Sequence, residues 1–310
     1  MLVVTSTIVF SLDNPESPAP PRSCLHADGI RVAARSGDIS VAALDRGALL
    51  FHTAKGEECV ETELPEPIDS LLIESPHAVA LLIGTEGAHL FRFSHHQRTA
   101  HRIHTFDQLA CRAHWDTPWG GPPSVRTLAS TTDGWVYADI HVGSIMRSSD
   151  RGESWEPVNP QLDRDVHQVA TCPTVPDRVY ANTAHGVYVS SNRGNTWDHR
   201  AKDLDNRYGR AIAVHPHHPD LLLASVSDGP HGANVHAQLF RSSDCGRHWQ
   251  HISGDFPASS RKNINTGHIC FTADGTAWAC VDNLVFIGRE NGSVWEPFWE
   301  APDEVRMLAP

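Results

Sequence analysis

The chain has 310 residues, 40% hydrophobic and 20% charged, which is enough to bury a full core; disorder is excluded, and one large domain or two ordinary ones are allowed. Its 37 carboxylates against 25 bases give a formal charge of −12, with 3 lysines beside 22 arginines, so nucleic-acid phosphates and anionic membranes are unsuitable partners. Full protonation of the 21 histidines would move that charge to +9, so imidazoles control the electrostatics between about pH 5 and 7.

The first segment, Met1 to Leu12, lacks the basic stretch and small-residue cleavage site of a signal peptide, and reads as paired strands, Leu2 to Val4 and Thr7 to Phe10. Further on, no run approaches the roughly 18 apolar residues of a bilayer span. Seven scattered cysteines without a CxxC pattern suggest reduced thiols and a cytoplasmic location. Helical periodicity is almost absent. Short β-branched and aromatic runs recur instead, such as Val166 to Ala170, Arg178 to Asn182 and Gly186 to Ser190, each bounded by Pro, Asp or Gly. Six segments align as innermost strands: Ile30 to Ala33, Asp69 to Leu72, Val125 to Leu128, Val166 to Val169, Gly209 to Ile212 and Gly267 to Cys270.

The second half carries a repeat. Ser148-x-Asp150-x-Gly152-x-x-Trp155, Ser190-x-Asn192-x-Gly194-x-x-Trp197 and Ser242-x-Asp244-x-Gly246-x-x-Trp249 share one spacing, and Gly288 to Trp295 is a decayed fourth copy. Their tryptophans lie 42, 52 and 46 residues apart, the period of four-stranded propeller blades. The Asp or Asn caps amides of a tight turn, Gly takes the positive φ, and Trp buries its ring. The last segment, Val305 to Ala309, matches Val125 to Ala129 and leaves no room for outer strands. Pairing it with the N-terminal strands predicts an all-β, seven-bladed propeller closed by both chain ends, with residues 1–310 as one domain.

These boxes resemble the Asp-box, or BNR, repeat of sialidase-like β-propellers, a group that includes sialidases, sortilin-type receptors and photosystem II assembly factors. The stretch from Pro118 to Ala129 with Asp165 to Val169 is also similar to small bacterial BNR-repeat proteins. The resemblance implies the fold and leaves open whether the chain is an enzyme, because the boxes build turns in catalytic and binding propellers alike. Sialidases hold their substrate carboxylate with three arginines; Arg31 sits near their Arg-Ile-Pro signature, with Ala33 in place of the proline, and no Tyr/Glu nucleophile pair is evident.

One propeller face collects the connections between blades and the loops between second and third strands. On it the inner strands place Arg31, Arg126, Arg210 and Arg306, with His167 and His268, each second in its segment. Arginines grouped at a channel suit a carboxylate, phosphate or sulfate; the alternative is that they pair with neighbouring carboxylates and fill the channel. Tyr208 and Trp119 are added as ligand contacts, Trp119 from the Gly/Pro-rich insertion at 116–123 folded over the mouth or packed beneath its own loop. His141, His167, His185, His231, His236 and His268 are candidate ligands for a divalent transition metal, and His167, His268 and Asp165 are candidates for acid–base catalysis.

The reading is a propeller that binds, and transforms, a small anionic, carboxylate-type molecule at an Arg/His-lined channel mouth by acid–base or metal-assisted chemistry. A non-catalytic propeller that grips a protein or peptide, and a glycan-binding protein or glycoside hydrolase, are the alternatives.

Overall fold

Every residue of the strand Leu222–Ser227 is buried, yet its side chains divide between two cores: Leu222, Ala224 and Val226 pack to one side, and Leu223 to the other. A strand whose two faces are both covered must lie between two other sheets. The same division repeats around the molecule. The computed structural model describes all residues except 15, 17, 18, 76–78, 118 and 119, and it contains seven antiparallel four-stranded sheets arranged as blades about a central channel. Seven hydrophobic clusters fill the seven interfaces between neighbouring blades. Each fully buried Leu, Ile or Phe in them contributes about 1.5–3 kcal/mol of transfer free energy.

From the channel outward, the first blade comprises Ile30–Ser36, Ile39–Leu44, Ala48–Thr53 and Gly56–Glu61, and the second Ile68–Ser75, Ala80–Thr85, Leu90–Ser94 and Thr99–Arg102. The third comprises Val125–Ser130, Val136–Ile140, Ser144–Ser148 and Glu156–Pro157; the fourth Val166–Thr171, Val179–Thr183, Gly186–Ser190 and Asp198–His199. The fifth comprises Tyr208–Val214, Leu222–Ser227, Gln238–Ser242 and Gln250–His251; the sixth Ile269–Phe271, Ala277–Val281, Leu284–Arg289 and Val294–Glu300. In the seventh, Met307–Ala309 is innermost, followed by Leu2–Val4, Ile8–Ser11 and Arg22–His26. Leu2 pairs with Ala309 and Val4 with Met307, so the predicted closure of the ring by both chain ends is present. Gly267 and His268 precede their inner strand rather than joining it, because Gly267 turns the chain at φ +79°.

The Asp boxes connect third to fourth strands. Ser148 Oγ donates to Asp150 Oδ1 (2.7 Å) and accepts the Gly152 amide (2.7 Å), while Asp150 Oδ1 accepts the amides of Glu153 (3.1 Å) and Ser154 (2.8 Å). These bonds, the one to the Ser154 hydroxyl first among them, hold the Asp150 carboxyl down at about 2. Gly152, Gly194, Gly246 and Gly292 all have positive φ, as the motif requires. Among the described residues, helix is confined to an insertion between the second and third blades, a turn at His104–Asp107 and a 3-10 turn at Ala110–His114. There Phe106 packs against Trp115 and Trp155, with ring centroids 5.7 and 5.2 Å away.

Candidate functional site

Five of the seven inner strands break register near their starts. At Arg31, Asp69, Arg126, His167 and Arg210 the register with the neighbouring strand shifts, so each sits in a β-bulge. A bulge leaves one residue out of the ladder and re-aims its side chain. Four of the five bulged residues, Arg31, Asp69, Arg126 and Arg210, line the channel, while His167 is buried between blades, and polar residues in and beside the sheets satisfy the backbone groups that the bulges disturb. Asp139 Oδ1 accepts the Thr127 amide at 2.6 Å, Ser225 Oγ accepts the Ala211 amide at 2.9 Å, and the Ser70 hydroxyl donates to the Val125 carbonyl at 2.8 Å. The channel has a volume of about 780 Å³, and Arg31, Asp69, Arg126, Arg210, Asn265 and Arg306 are among its lining residues.

The four arginines differ. Arg31 is neutralised: Nη2 lies 2.5 Å from Asp69 Oδ1, Nη1 lies 3.5 Å from Asp45, and Nε donates to the Ile68 carbonyl. Arg306 is exposed at the rim. Arg126 and Arg210 line the wall from the third and fifth blades, and each has a buried nitrogen without a hydrogen-bond partner among the described residues, Nη1 and Nε respectively. Burial, opposed by the Asp139 charge and reinforced by Arg210, lowers the Arg126 pKa. The Arg210 guanidinium lies 5.1 Å over the Tyr208 ring.

Beside Arg126 the third and fourth blades bring His141, Asp165 and His167 together. His141 leaves the turn after Val136–Ile140, Asp165 immediately precedes the fourth inner strand, and His167 is that strand's bulged residue. His167 is fully buried, and its Nδ1 bonds to the Gly209 carbonyl. A carbonyl only accepts, so Nδ1 carries the proton and the neutral ring's Nε2 is a lone-pair nitrogen. That Nε2 lies 3.1 Å from Asp165 Oδ1 and 3.3 Å from the Tyr208 hydroxyl. His141 Nε2 lies 3.6 Å from Asp165 Oδ1 and accepts from Arg126 Nη2 at 3.1 Å. Burial, then Arg126, pushes the His141 pKa down to about 3, and burial also lowers that of His167. Burial works to raise Asp165, but His167, His141 and Arg126 hold it below the usual value. Near neutral pH the cluster therefore holds two neutral imidazoles, one carboxylate and the Arg126 guanidinium.

The other predicted residues lie elsewhere. His268 is buried between the last two blades, with Nε2 on the Arg306 carbonyl at 3.1 Å, away from His167. Two of the loop histidines are tied to acids outside the cluster, His185 to Asp163 (2.7 Å) and His236 to Asp228 (2.6 Å), and both are exposed, as is His231. The six histidines do not converge: among the described residues the group with metal-ligand spacing is His141, Asp165 and His167, all three ligand atoms within 4.8 Å of one another. Trp119 lies outside the described residues. Asp139 is an addition to the sequence reading. It is fully buried opposite Thr127, and burial pushes its carboxyl up to about 7. The repeats carry a signal for it, since Tyr137-Ala138-Asp139 matches Tyr180-Ala181-Asn182 in the next blade.

The Sortilin-Vps10 family model (sortilin, neurotensin receptor 3), a propeller family of the Asp-box type, matches residues 143–276. No curated protein sequence matches the chain. Among solved structures, the fold is similar to an ancestral GH74 enzyme (TM-score 0.66, 17% identity, 89% of this chain and 39% of that one). It is similar to the GH74 xyloglucanase from Xanthomonas campestris (TM-score 0.68, 17% identity, 88% and 47%) and to YCF48 bound to D1 peptide (TM-score 0.59, 13% identity, 87% and 81%). The chain spans less than half the length of either GH74 protein. At these identities the likeness is one of fold. No helix among the described residues is long and apolar enough to cross a membrane.

Proposed function

We propose that the chain is a sialidase-like Asp-box propeller whose channel mouth binds a small carboxylate-type anion between Arg126 and Arg210 and transforms it with His167 and Asp165. The observation that carries this reading is the contrast among the arginines. Arg31 is matched by carboxylates at 2.5 and 3.5 Å, whereas Arg126 and Arg210 keep buried N–H groups for which the described residues supply no acceptor. A buried donor without a partner is costly, and an anion that bridges the two guanidiniums would remove that cost for both. The reading assigns the proton-accepting role to His167 Nε2, supported by the Gly209 carbonyl that fixes its tautomer and by Asp165 and Tyr208 beside it.

Calorimetric titration with N-acetylneuraminate, citrate, inorganic phosphate and sulfate tests the reading. Arg210→Ala should abolish binding of whichever anion the wild type holds, with little change in melting temperature; an unchanged affinity refutes it. The second reading is a non-catalytic module that grips a peptide on the same face. It is supported by the similarity to a propeller solved with D1 peptide, over 81% of that chain. Turnover of a bound anion or of synthetic glycosides separates the two, and glycoside cleavage would favour a hydrolase like the GH74 enzymes.

A further inference from the structure

We infer that His141, Asp165 and His167 form a mononuclear site for a divalent first-row transition ion. Three acceptor atoms face one another here. His167 Nε2 and Asp165 Oδ1 are 3.1 Å apart, and neither carries a proton in the arrangement that the Gly209 carbonyl imposes on the ring. Asp165 Oδ1 is buried and has no hydrogen-bond donor among the described residues. His141 Nε2 lies 3.6 Å from the same oxygen and is itself an acceptor, because Arg126 donates to it. Arg126 donates to His141 at 3.1 Å and the Tyr208 hydroxyl lies 3.3 Å from His167 Nε2, which leaves Asp165 Oδ1 as the acceptor without a donor, and a cation among the three atoms would satisfy it together with both imidazoles.

The surroundings are those of a metal centre. The bond from His167 Nδ1 to a backbone carbonyl is the contact that orients a metal-binding imidazole and fixes its tautomer. The ligands come from two blades, the third and fourth, whose spacing is set by the cluster that contains Tyr137, Val166 and Val169, so the site is rigid before any ion arrives. Two imidazoles and one carboxylate suit Zn²⁺, Co²⁺, Ni²⁺ or Fe²⁺ rather than Mg²⁺ or Ca²⁺, which take oxygen ligands. Asp165 is partly exposed, which gives the ion a path from the mouth. Arg126 Nη2 already occupies the approach to His141, so an ion turns that guanidinium back toward the channel. The inference shares His167 and Asp165 with the proposed function, and an ion on His167 Nε2 replaces the acid–base role of that nitrogen with metal-assisted chemistry; the anion contact at Arg210 is separate from the ligand set.

The test is a titration of chelator-treated, dialysed protein with Zn²⁺ by calorimetry, and with Co²⁺ by visible absorption, in a buffer without coordinating anions. One equivalent should bind, and Co²⁺ should develop ligand-field bands. Asp165→Asn, His141→Gln and His167→Gln should each weaken binding by roughly 10- to 100-fold or more. His236→Gln, on an exposed histidine, and Arg210→Ala should leave it unchanged. Asp165→Asn keeps the shape of the side chain, so it reports even if a histidine variant fails to fold. No saturable binding, or one equivalent that survives Asp165→Asn and His141→Gln, overturns the inference; loss of anion binding in Arg210→Ala with metal binding intact leaves it standing.

Discussion

His268 should make the protein acid-sensitive, and His268→Gln should remove that sensitivity. The ring is 7% exposed; Nε2 must donate to the Arg306 carbonyl, while Nδ1 is buried without a partner among the described residues. Burial moves its pKa from 6.5 down to about 4, even though the Arg306 carbonyl, Glu304 and Asp282 all act to raise it. The unfolded chain takes up the proton as pH falls below 6.5, whereas the folded chain resists until about 4. Stability is therefore fully present above pH 6.5 and declines through this window, by about 3 kcal/mol in all at about 1.4 kcal/mol per pH unit. A glutamine can keep the bond to the Arg306 carbonyl without titrating. Urea unfolding of both proteins at several pH values between 7.5 and 4 measures the difference. Buried His141 and His167 titrate in both and cancel, so the gap between the two curves should change by about 3 kcal/mol in favour of the variant. Parallel curves would refute the reasoning.

Gly209→Ala should destabilise by about 1–3 kcal/mol, since overpacking is costly in a filled interior. A Cβ there would stand 1.8 Å from Asn182 Oδ1, and Asn182 is held by bonds of 2.7 and 3.0 Å to the carbonyls of Ala211 and Ser225. Thermal unfolding checks this, and a shift below 1 °C would show that Asn182 moves aside freely. Asp150→Ala removes the acceptor of the Glu153 and Ser154 amides and should cost about 1–2 kcal/mol, as loss of a helix cap does, whereas Asp150→Asn should recover most of it, because Asn192 occupies this position in the next box. Chemical denaturation of the pair provides the measurement.

The blades were legible because each rests on local physics. A serine, a short acid or amide, a glycine and a tryptophan at fixed spacing specify a turn wherever they occur, and four such turns set the period. The seam was legible too, since Val305 to Ala309 repeats an inner-strand pattern and Leu2 to Phe10 lacks an inner strand. What spacing cannot convey is which neighbour a side chain meets across a blade interface. Arg31 and Arg126 both hold the second position of an inner strand, yet Asp69 on the next blade neutralises Arg31, whereas Arg126 only donates to the neutral His141 of its own blade. His167 and His268 looked equivalent for the same reason; the turn at Gly267 sends His268 between blades instead of toward the cluster. Asp139 hides in a strand that otherwise reads as core, and its importance appears only when the bulge opposite it exposes an amide to be satisfied.

The bulges have an evolutionary consequence. A side chain at Arg31, Asp69, Arg126 or Arg210 projects into the channel from a residue that the ladder passes over, so replacing it removes few of the ladder bonds that hold a blade together. The mouth behaves as a ring of interchangeable sockets on a scaffold that tolerates the exchange. Mutation can therefore alter its charge and donor set one blade at a time, and new binding chemistry can arise in this ring without first destabilising the fold that presents it.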